Sequence, residues 1–292
     1  MKINSVSIKI KPNNTESIQY VKKLISILDN KGIRTLLPDY DILKDKELSP
    51  YISNLEDYIN LPDIVIVIGG DGTLLGAARL YAGTNIPIFG INKGRLGFLT
   101  EFMPDEALNY LTQIIDGNYE TSERSMLEAI HIRENEIINS SCFLNDAVIS
   151  RDSLSRLVKI TLEIDNQFLS AYTGDGLIVS SPTGSTAYSL SAGGPIILPN
   201  IESVYIINPI CPHTLTIRPM VVSSKMVCRA RIESGLKNLL LTIDGQEAIQ
   251  LQEKDEILFT GSDKKAFLVT HPKRKYYAIL RQKLGWNTHF TD

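Results

Sequence analysis

The sequence predicts two domains: an N-terminal α/β domain on a mostly parallel sheet, followed by a β-rich domain. Three observations carry this prediction. A length of 292 residues with 43% hydrophobic content is enough for two separate cores. Through about residue 120, strand-like and helix-like patterns alternate, as they do where helices cover a parallel sheet. From about Arg124 the apolar period changes to two, and helical spacing nearly vanishes for more than a hundred residues.

Taken in order, Ile3, Val6, Ile8 and Ile10 alternate with polar residues and predict a first strand. A helix follows around Thr15 to Lys31, with Leu24, Ile25, Ile27 and Leu28 on one face, and then a second strand over Ile33 to Leu37. The charged stretch from Asp39 to Asn60 offers no clear element. Ile64 to Ile68 is apolar and β-branched throughout, as a strand covered on both faces requires, and is the best candidate for a central strand. It runs into Gly69-Gly70-Asp71-Gly72-Thr73 and a helical pattern over Leu74 to Tyr81, closed by Gly83. Ile86 to Ile91 is another strand and Pro104 to Asp116 another helix.

In the second domain, Glu128 to Ile132, Ala147 to Ser150, Val158 to Ile164, Leu177 to Val179, Val204 to Ile207, Met226 to Ile232, Leu239 to Ile243 and Ile257 to Phe259 read as short strands. Asp165-Asn166 and Asp244-Gly245 are placed for tight hairpin turns, where Asn and Gly tolerate positive φ. Tyr276 to Leu284 returns to helical spacing, so the expected divisions are 1–123, 124–270 and a C-terminal segment 271–292 packing back on the first domain.

A net charge of -3, from 30 basic and 33 acidic residues, provides no broad electrostatic footprint for nucleic acid or an anionic membrane. No stretch approaches the ~20 apolar residues needed to cross a bilayer, and Met1 to Lys11 lacks the features of a signal peptide. The expectation is a cytoplasmic protein. Cys142, Cys211 and Cys228 form no CxxC pair and predict neither a disulfide framework nor a zinc site. The histidines at 131, 213, 271 and 289 have no serine or cysteine nucleophile in a recognisable frame, and Lys273-Arg274-Lys275 reads most simply as solvated.

The sharpest local signal is the strand, glycine turn and helix over Ile64 to Tyr81. Glycines 69, 70 and 72 let backbone N–H groups approach an oxyanion, and the helix starting near Thr73 adds its positive end, which together make a phosphate site. The Walker loop is excluded because the chain has no Gly-Lys pair. The dinucleotide fingerprint is excluded because Leu75 stands where its third glycine belongs. Asp71 is the informative residue, since a carboxylate inside a phosphate turn is repelled by the ligand. It suits a Mg²⁺ ligand bridging phosphates or a general base toward an attacking hydroxyl; the plainer alternative is a helix cap.

A second dense segment, Gly174 to Pro195, is rich in small hydroxyl residues and glycines that suit ribose and phosphate oxygens or an adenine edge. Within it Asp175 can accept from sugar hydroxyls and Tyr188 can stack on a base, although a polar inter-strand loop has the same composition. Asn145-Asp146 interrupts an apolar run and reads equally as a turn or a ligand site, while Asp244-Gly245-Gln246 reads first as a turn.

In this order, these pieces resemble the NAD kinase family. The segments that carry the likeness are Gly69 to Thr73, Asn145-Asp146, Gly174 to Pro195, Asn208 to Pro219 and Asp244 to Gln246. The glycine turn alone is shared with diacylglycerol and sphingosine kinases and, in a variant form, phosphofructokinases; Asn145-Asp146 and Asn208 to Pro219 make the likeness specific. The resemblance implies an α/β N-terminal domain with a parallel, Rossmann-like sheet, a β-rich, sandwich-like C-terminal domain and a substrate cleft between them. It also implies Mg²⁺ or another divalent cation with ATP as donor, NAD as acceptor, and a homo-oligomer, tetramer or dimer, with neither nucleic acid nor membrane as partner.

Carried over by position, the likeness makes Asp71 the catalytic base that activates the adenosine 2′-hydroxyl of NAD and lays Gly72 against phosphate. Asn145 and Asp146 would bind adenine and ribose groups. Asp175 and the run Thr186, Ala187, Tyr188, Ser189, Leu190 and Ser191 would line the dinucleotide pocket, with Ile210 at its wall. Arg156 and Gln246 match positions associated with nucleotide contact. Thr173 stands where many members carry a basic residue, which leaves NAD against NADH open, and Ser181 replaces a frequent threonine while keeping the hydroxyl.

Overall fold

The computed structural model describes residues 2–11, 16–40, 46–94, 97–151, 157–214, 216–233 and 239–286. The chain divides into two compact units, Met1–Ser122 with Phe267–Asp292, and Glu123–Ala266.

The first unit begins with β1 (Ser5–Ile10), α1 (Glu16–Asp29), β2 (Arg34–Leu36), α2 (Leu55–Asn60), β3 (Ile64–Ile68), α3 (Asp71–Leu80), β4 (Pro87–Ile91) and α4 (Pro104–Ile115). Its strands lie in the order β2-β1-β3-β4 and every pair is parallel. Phe267 and Leu268, from the last strand of the chain, add to β4 in parallel through Pro87 and Ile88. All five residues of β3 are buried, which is why its sequence shows no alternation. Leu24 and Leu28 of α1 and Leu111 and Ile115 of α4 share one core with Ile8, Ile66 and Phe89 of the sheet. At ~1.5–3 kcal/mol for each large apolar side chain, this burial supplies most of the drive for the unit.

The stretch after Asp39, where charge hides any periodicity, contains α2. Asn54 caps it by accepting the Asp57 N–H at 2.8 Å, and Glu56 and Asp57 stand in its first turn, where the helix dipole favours acid.

The second unit holds β5 (Thr121–Arg133), β6 (Glu136–Phe143), β7 (Asp146–Arg151), β8 (Val158–Ile164), β9 (Gln167–Gly174), β10 (Gly176–Ser180), the one-turn α5 (Tyr188–Ser191), β11 (Val204–Ile210), β12 (Met220–Ser223), β13 (Cys228–Ile232), β14 (Leu239–Ile243), β15 (Glu247–Leu251) and most of β16 (Glu256–Val269). One sheet has the order β12-β11-β10-β7-β14-β15 and is antiparallel throughout. The other runs β16-β13-β8-β9, also antiparallel, with β5 joined to β16 and β6 joined to β5. Ile149, Leu177 and Ile207 of the first sheet meet Leu162, Ala230 and Phe259 of the second in one core, so the β-rich domain is a sandwich as expected.

The turns carry the predicted strain: φ is 48° at Asp165, 64° at Asn166, 49° at Asp244 and 63° at Gly245. Asn145-Asp146 proves to be a crossover. The apolar residues before it end β6 in one sheet, and those after it begin β7 in the other. The chain ends in α6 (Tyr276–Leu284), closed by Gly285 at φ 68°. In the first unit, Arg274 pairs with Glu106 at 2.8 Å just ahead of this helix.

Candidate functional site

In the first unit, the glycine turn delivers Asp71 as the first residue of α3, with Gly70 at the cap position and no side-chain cap bond. Asp71 therefore stands one place inside the cap position. The Asp71 carboxylate turns instead to residues 98–100. Its Oδ2 accepts the Phe98 N–H at 2.8 Å, and its Oδ1 accepts the Leu99 N–H at 3.2 Å, the Thr100 N–H at 3.0 Å and the Thr100 hydroxyl at 2.9 Å. A Cβ on Gly97 would lie 1.9 Å from Oδ1, so only glycine permits the carboxylate to seat there. Four donors converging on one carboxylate present positive partial charge, which opposes a cation at the same oxygens. Gly72 follows on the exposed outer side of the turn.

In the second unit, three of the expected segments meet around the β6–β7 crossover. The Asp244 carboxylate accepts the N–H groups of Leu144 at 3.2 Å, Asn145 at 2.7 Å and Asp146 at 3.2 Å. The turn residue thus also clamps the crossover. On the other side, the Ser181 N–H donates to the Asn145 carbonyl at 2.9 Å and the Ser181 hydroxyl to the Leu144 carbonyl at 2.5 Å. A Cβ on Gly184 would meet the Asn145 carbonyl oxygen at 2.0 Å, so the strand and the 3-10 turn over Thr183–Thr186 touch backbone to backbone.

Asn145 Oδ1 is buried without a partner among the described residues. Burial first, and then the Asp244 charge, push the Asp146 carboxyl up to about 7, against the lowering effect of the Tyr188 N–H that donates to it. Asp146 is therefore available as donor or acceptor near neutral pH.

Thr186 and Ala187 lead into α5, which holds Tyr188, Ser189, Leu190 and Ser191. Tyr188 is about half exposed (48%), whereas Ser189 is buried and accepts from Asn208 Nδ2 through its carbonyl at 2.9 Å. Tyr188, Ser191, Asn208, Ile210 and Arg218 line a cavity of about 770 Å³. Asn208 Oδ1, fully buried and unpartnered among the described residues, belongs to the same lining.

Asp175 lies apart from the Asp146 carboxyl's partners. Its Oδ1 takes two bonds from Arg151, Nε at 3.1 Å and Nη2 at 2.8 Å, and its N–H donates to the Ile210 carbonyl at 2.9 Å. Thr173 faces Lys159 across β8–β9, and its carbonyl accepts the His213 N–H at 2.9 Å. Gln246 is exposed in the β14–β15 turn, and Arg156 lies outside the described residues. Sequence reasoning missed Gly97, Thr100 and Arg151. A Gly-x-x-Thr pair after a strand is too common a pattern to flag, and Arg151 reads as an ordinary strand-end charge.

Two domain descriptions match the chain: the ATP-NAD kinase N-terminal domain over residues 6–119 and the ATP-NAD kinase C-terminal domain over residues 144–271. The NAD kinase of Solibacter usitatus is 39% identical over 289 residues, covering 97% of this chain and 98% of that protein. The chain belongs to the NAD kinase family. The NAD kinase of Teredinibacter turnerae is similar at 40% identity over 277 residues, 94% of each chain. Among solved structures, yeast NADH kinase complexed with NADH superposes on this NAD kinase family member with a TM-score of 0.88 at 27% identity, covering 99% of this chain and 90% of that one. An NAD kinase from Archaeoglobus fulgidus in complex with ATP shares the fold, with a TM-score of 0.74 at 23% identity over 96% of this chain and 98% of that one. No helix among the described residues is long and apolar enough to cross a membrane.

Proposed function

We propose that this enzyme transfers the γ-phosphoryl group of ATP to the adenosine 2′-hydroxyl of NAD, with Asp71 as general base. The observation that carries the reading is the seat of Asp71: a carboxylate at the mouth of a glycine turn, held off the helix by the backbone of residues 98–100. In this reaction the 2′-oxygen attacks γ-phosphorus in line while its proton passes to Asp71. The bond from phosphorus to the β–γ bridging oxygen breaks, and its electron pair leaves with ADP. Oδ2, which accepts a single hydrogen bond among the described residues, is the oxygen with a lone pair to spare. Backbone N–H groups of the turn, Gly72 included, steady the phosphate oxygens.

The divalent cation belongs to the ATP substrate, held by phosphate oxygens and water. The donors gathered on Asp71 oppose a cation at the same oxygens. Asn145, with an Oδ1 unpartnered among the described residues, and Asp146 recognise adenine and ribose groups of NAD; Asp175, Thr186 to Ser191 and Ile210 line its pocket. Thr173, Arg156 and Gln246 contribute further nucleotide contacts. The working form is a homo-oligomer, tetramer or dimer, in the cytoplasm, which light scattering of the purified protein tests.

Incubation with ATP, Mg²⁺ and NAD, followed by a dehydrogenase that accepts only NADP, tests the activity, and NMR of the product distinguishes the 2′- from the 3′-phosphate. A diacylglycerol control tests the lipid-kinase alternative. Asp71→Asn should lose turnover while NAD still binds; near-normal turnover would sink the base assignment. NADH is a second acceptor reading, supported by the likeness to yeast NADH kinase and by Thr173 in place of a basic residue, and the same assay run with NADH decides between them.

A further inference from the structure

The hydrogen bonds around Asp71 fix the direction of each proton, and so separate the tasks of its two oxygens. Asn92 Oδ1 accepts the Gly94 N–H at 2.8 Å, which sets the amide so that its NH₂ faces Thr100. Asn92 Nδ2 stands 2.7 Å from Thr100 Oγ1, and an amide nitrogen can only donate. The Thr100 hydroxyl therefore accepts from Asn92 and has its single proton left for Asp71 Oδ1, 2.9 Å away. Both side chains are sealed from solvent, Asn92 at 4% and Thr100 at 0% exposure, so water does not compete for these bonds.

We infer that Asn92 and Thr100 form a positioning relay that saturates Asp71 Oδ1 and so directs proton acceptance to Oδ2. The inference rests on the reading of Asp71 as base. With two backbone N–H groups and the hydroxyl on Oδ1, that oxygen has no lone pair to offer a substrate, whereas among the described residues Oδ2 carries only the Phe98 N–H. The relay also holds the plane of the carboxyl about its χ2 axis, since rotation out of that plane breaks the bond from the hydroxyl to whichever oxygen faces Thr100. Thr100 and Asn92 act through Asp71 and need touch neither substrate.

The test uses the full chain with ATP, Mg²⁺ and NAD, comparing Thr100→Val, Thr100→Ser, Asn92→Asp, Asp71→Asn and the double variant Asp71→Asn/Thr100→Val. Valine keeps the shape and removes the hydroxyl, and should lower kcat by ~10–100-fold while the KM for NAD stays within about threefold, the scale expected when a catalytic group loses its orientation. Serine keeps the hydroxyl and should restore kcat to within about threefold of the parent. Asn92→Asp keeps the hydroxyl but replaces its donor with an acceptor, which draws the proton away from Asp71, and should lower kcat like valine. In the Asp71→Asn background, Thr100→Val should cost nothing further. If Thr100→Val matches the parent while Asp71→Asn is inactive, the relay is overturned and the base stands; an active Asp71→Asn overturns the base reading itself. Equal losses from Thr100→Val in both backgrounds would mark a structural effect and also overturn the relay. Should thermal melting show that Thr100→Val is unfolded, Asn92→Asp decides, and a parental kcat there overturns the relay.

Discussion

Asp244 Oδ1 accepts the Asn145 backbone N–H at 2.7 Å, which ties the β14–β15 turn to the point where the chain crosses from one sheet of the sandwich to the other. A turn residue with φ of 49° would ordinarily be judged by its backbone alone. Here the side chain accepts from three successive N–H groups at the crossover.

Asp244→Ala should therefore cost about 2–4 kcal/mol, since each buried N–H left unsatisfied costs ~1–3 kcal/mol and the loop relaxes in part. The expected fall in Tm is roughly 5–10 °C for a chain of this size. If the crossover presents Asn145 and Asp146 to NAD, the KM for NAD rises as well. Calorimetry and initial rates check the two effects separately.

The raised Asp146 carboxyl makes stability depend on pH. Its folded value, about 7, lies above the unfolded value of ~3.9. Between these the folded state binds more protons than the unfolded one, so stability falls as pH rises from about 4 to about 7. Asp146→Asn should remove this slope and gain stability relative to the parent at pH 8, by as much as ~2–4 kcal/mol at ~1.4 kcal/mol per unit. Urea unfolding at pH 5 and pH 8 measures it; an unchanged slope in the variant would assign the dependence elsewhere.

Gly97→Ala should strike turnover rather than folding. The added methyl falls 1.9 Å from Asp71 Oδ1, and the part-buried carboxylate yields more easily than the backbone around it. An ångström of displacement at a catalytic group costs ~100-fold in rate. Steady-state kinetics should show that loss in kcat, with NAD binding by calorimetry close to the parent.

Arg151→Met should separate positioning from stability. The Arg151–Asp175 pair is only part-buried, so its removal should shift stability by less than ~1 kcal/mol. The released Asp175 no longer holds one orientation, and the KM for NAD should rise several-fold. A large fall in Tm would mean that the pair is structural.

The parts of the fold that were legible in sequence are those where burial imposes a pattern. Ile64 to Ile68 read best as an interior strand, and Asp165-Asn166 and Asp244-Gly245 read first as tight turns between alternating runs. Strands β6 and β15 were not legible. In each a single residue is buried, Phe143 and Leu251, so no period marks them. The same reason divides the candidate site. Asp71 announces itself because an acid in a phosphate turn demands explanation. What holds it does not, since three of its four donors are backbone N–H groups, of Phe98, Leu99 and Thr100, which any residues would supply, and Gly97 acts through an atom it lacks. Asp244 was visible as a turn but its second task was not, because Leu144 and Asp146 lie about a hundred positions away.

The first compact unit is assembled from two stretches separated by Glu123–Ala266. On a ribosome, residues through Ser122 leave the exit tunnel long before Phe267 and Leu268, the strand partners of Pro87 and Ile88, have been translated. The nascent sheet must wait with β4 open on one edge while the whole β-sandwich is synthesised and given time to fold. The half of the enzyme that carries Asp71 is thus the last to be completed, and a chain cut short anywhere in the sandwich would leave that edge exposed.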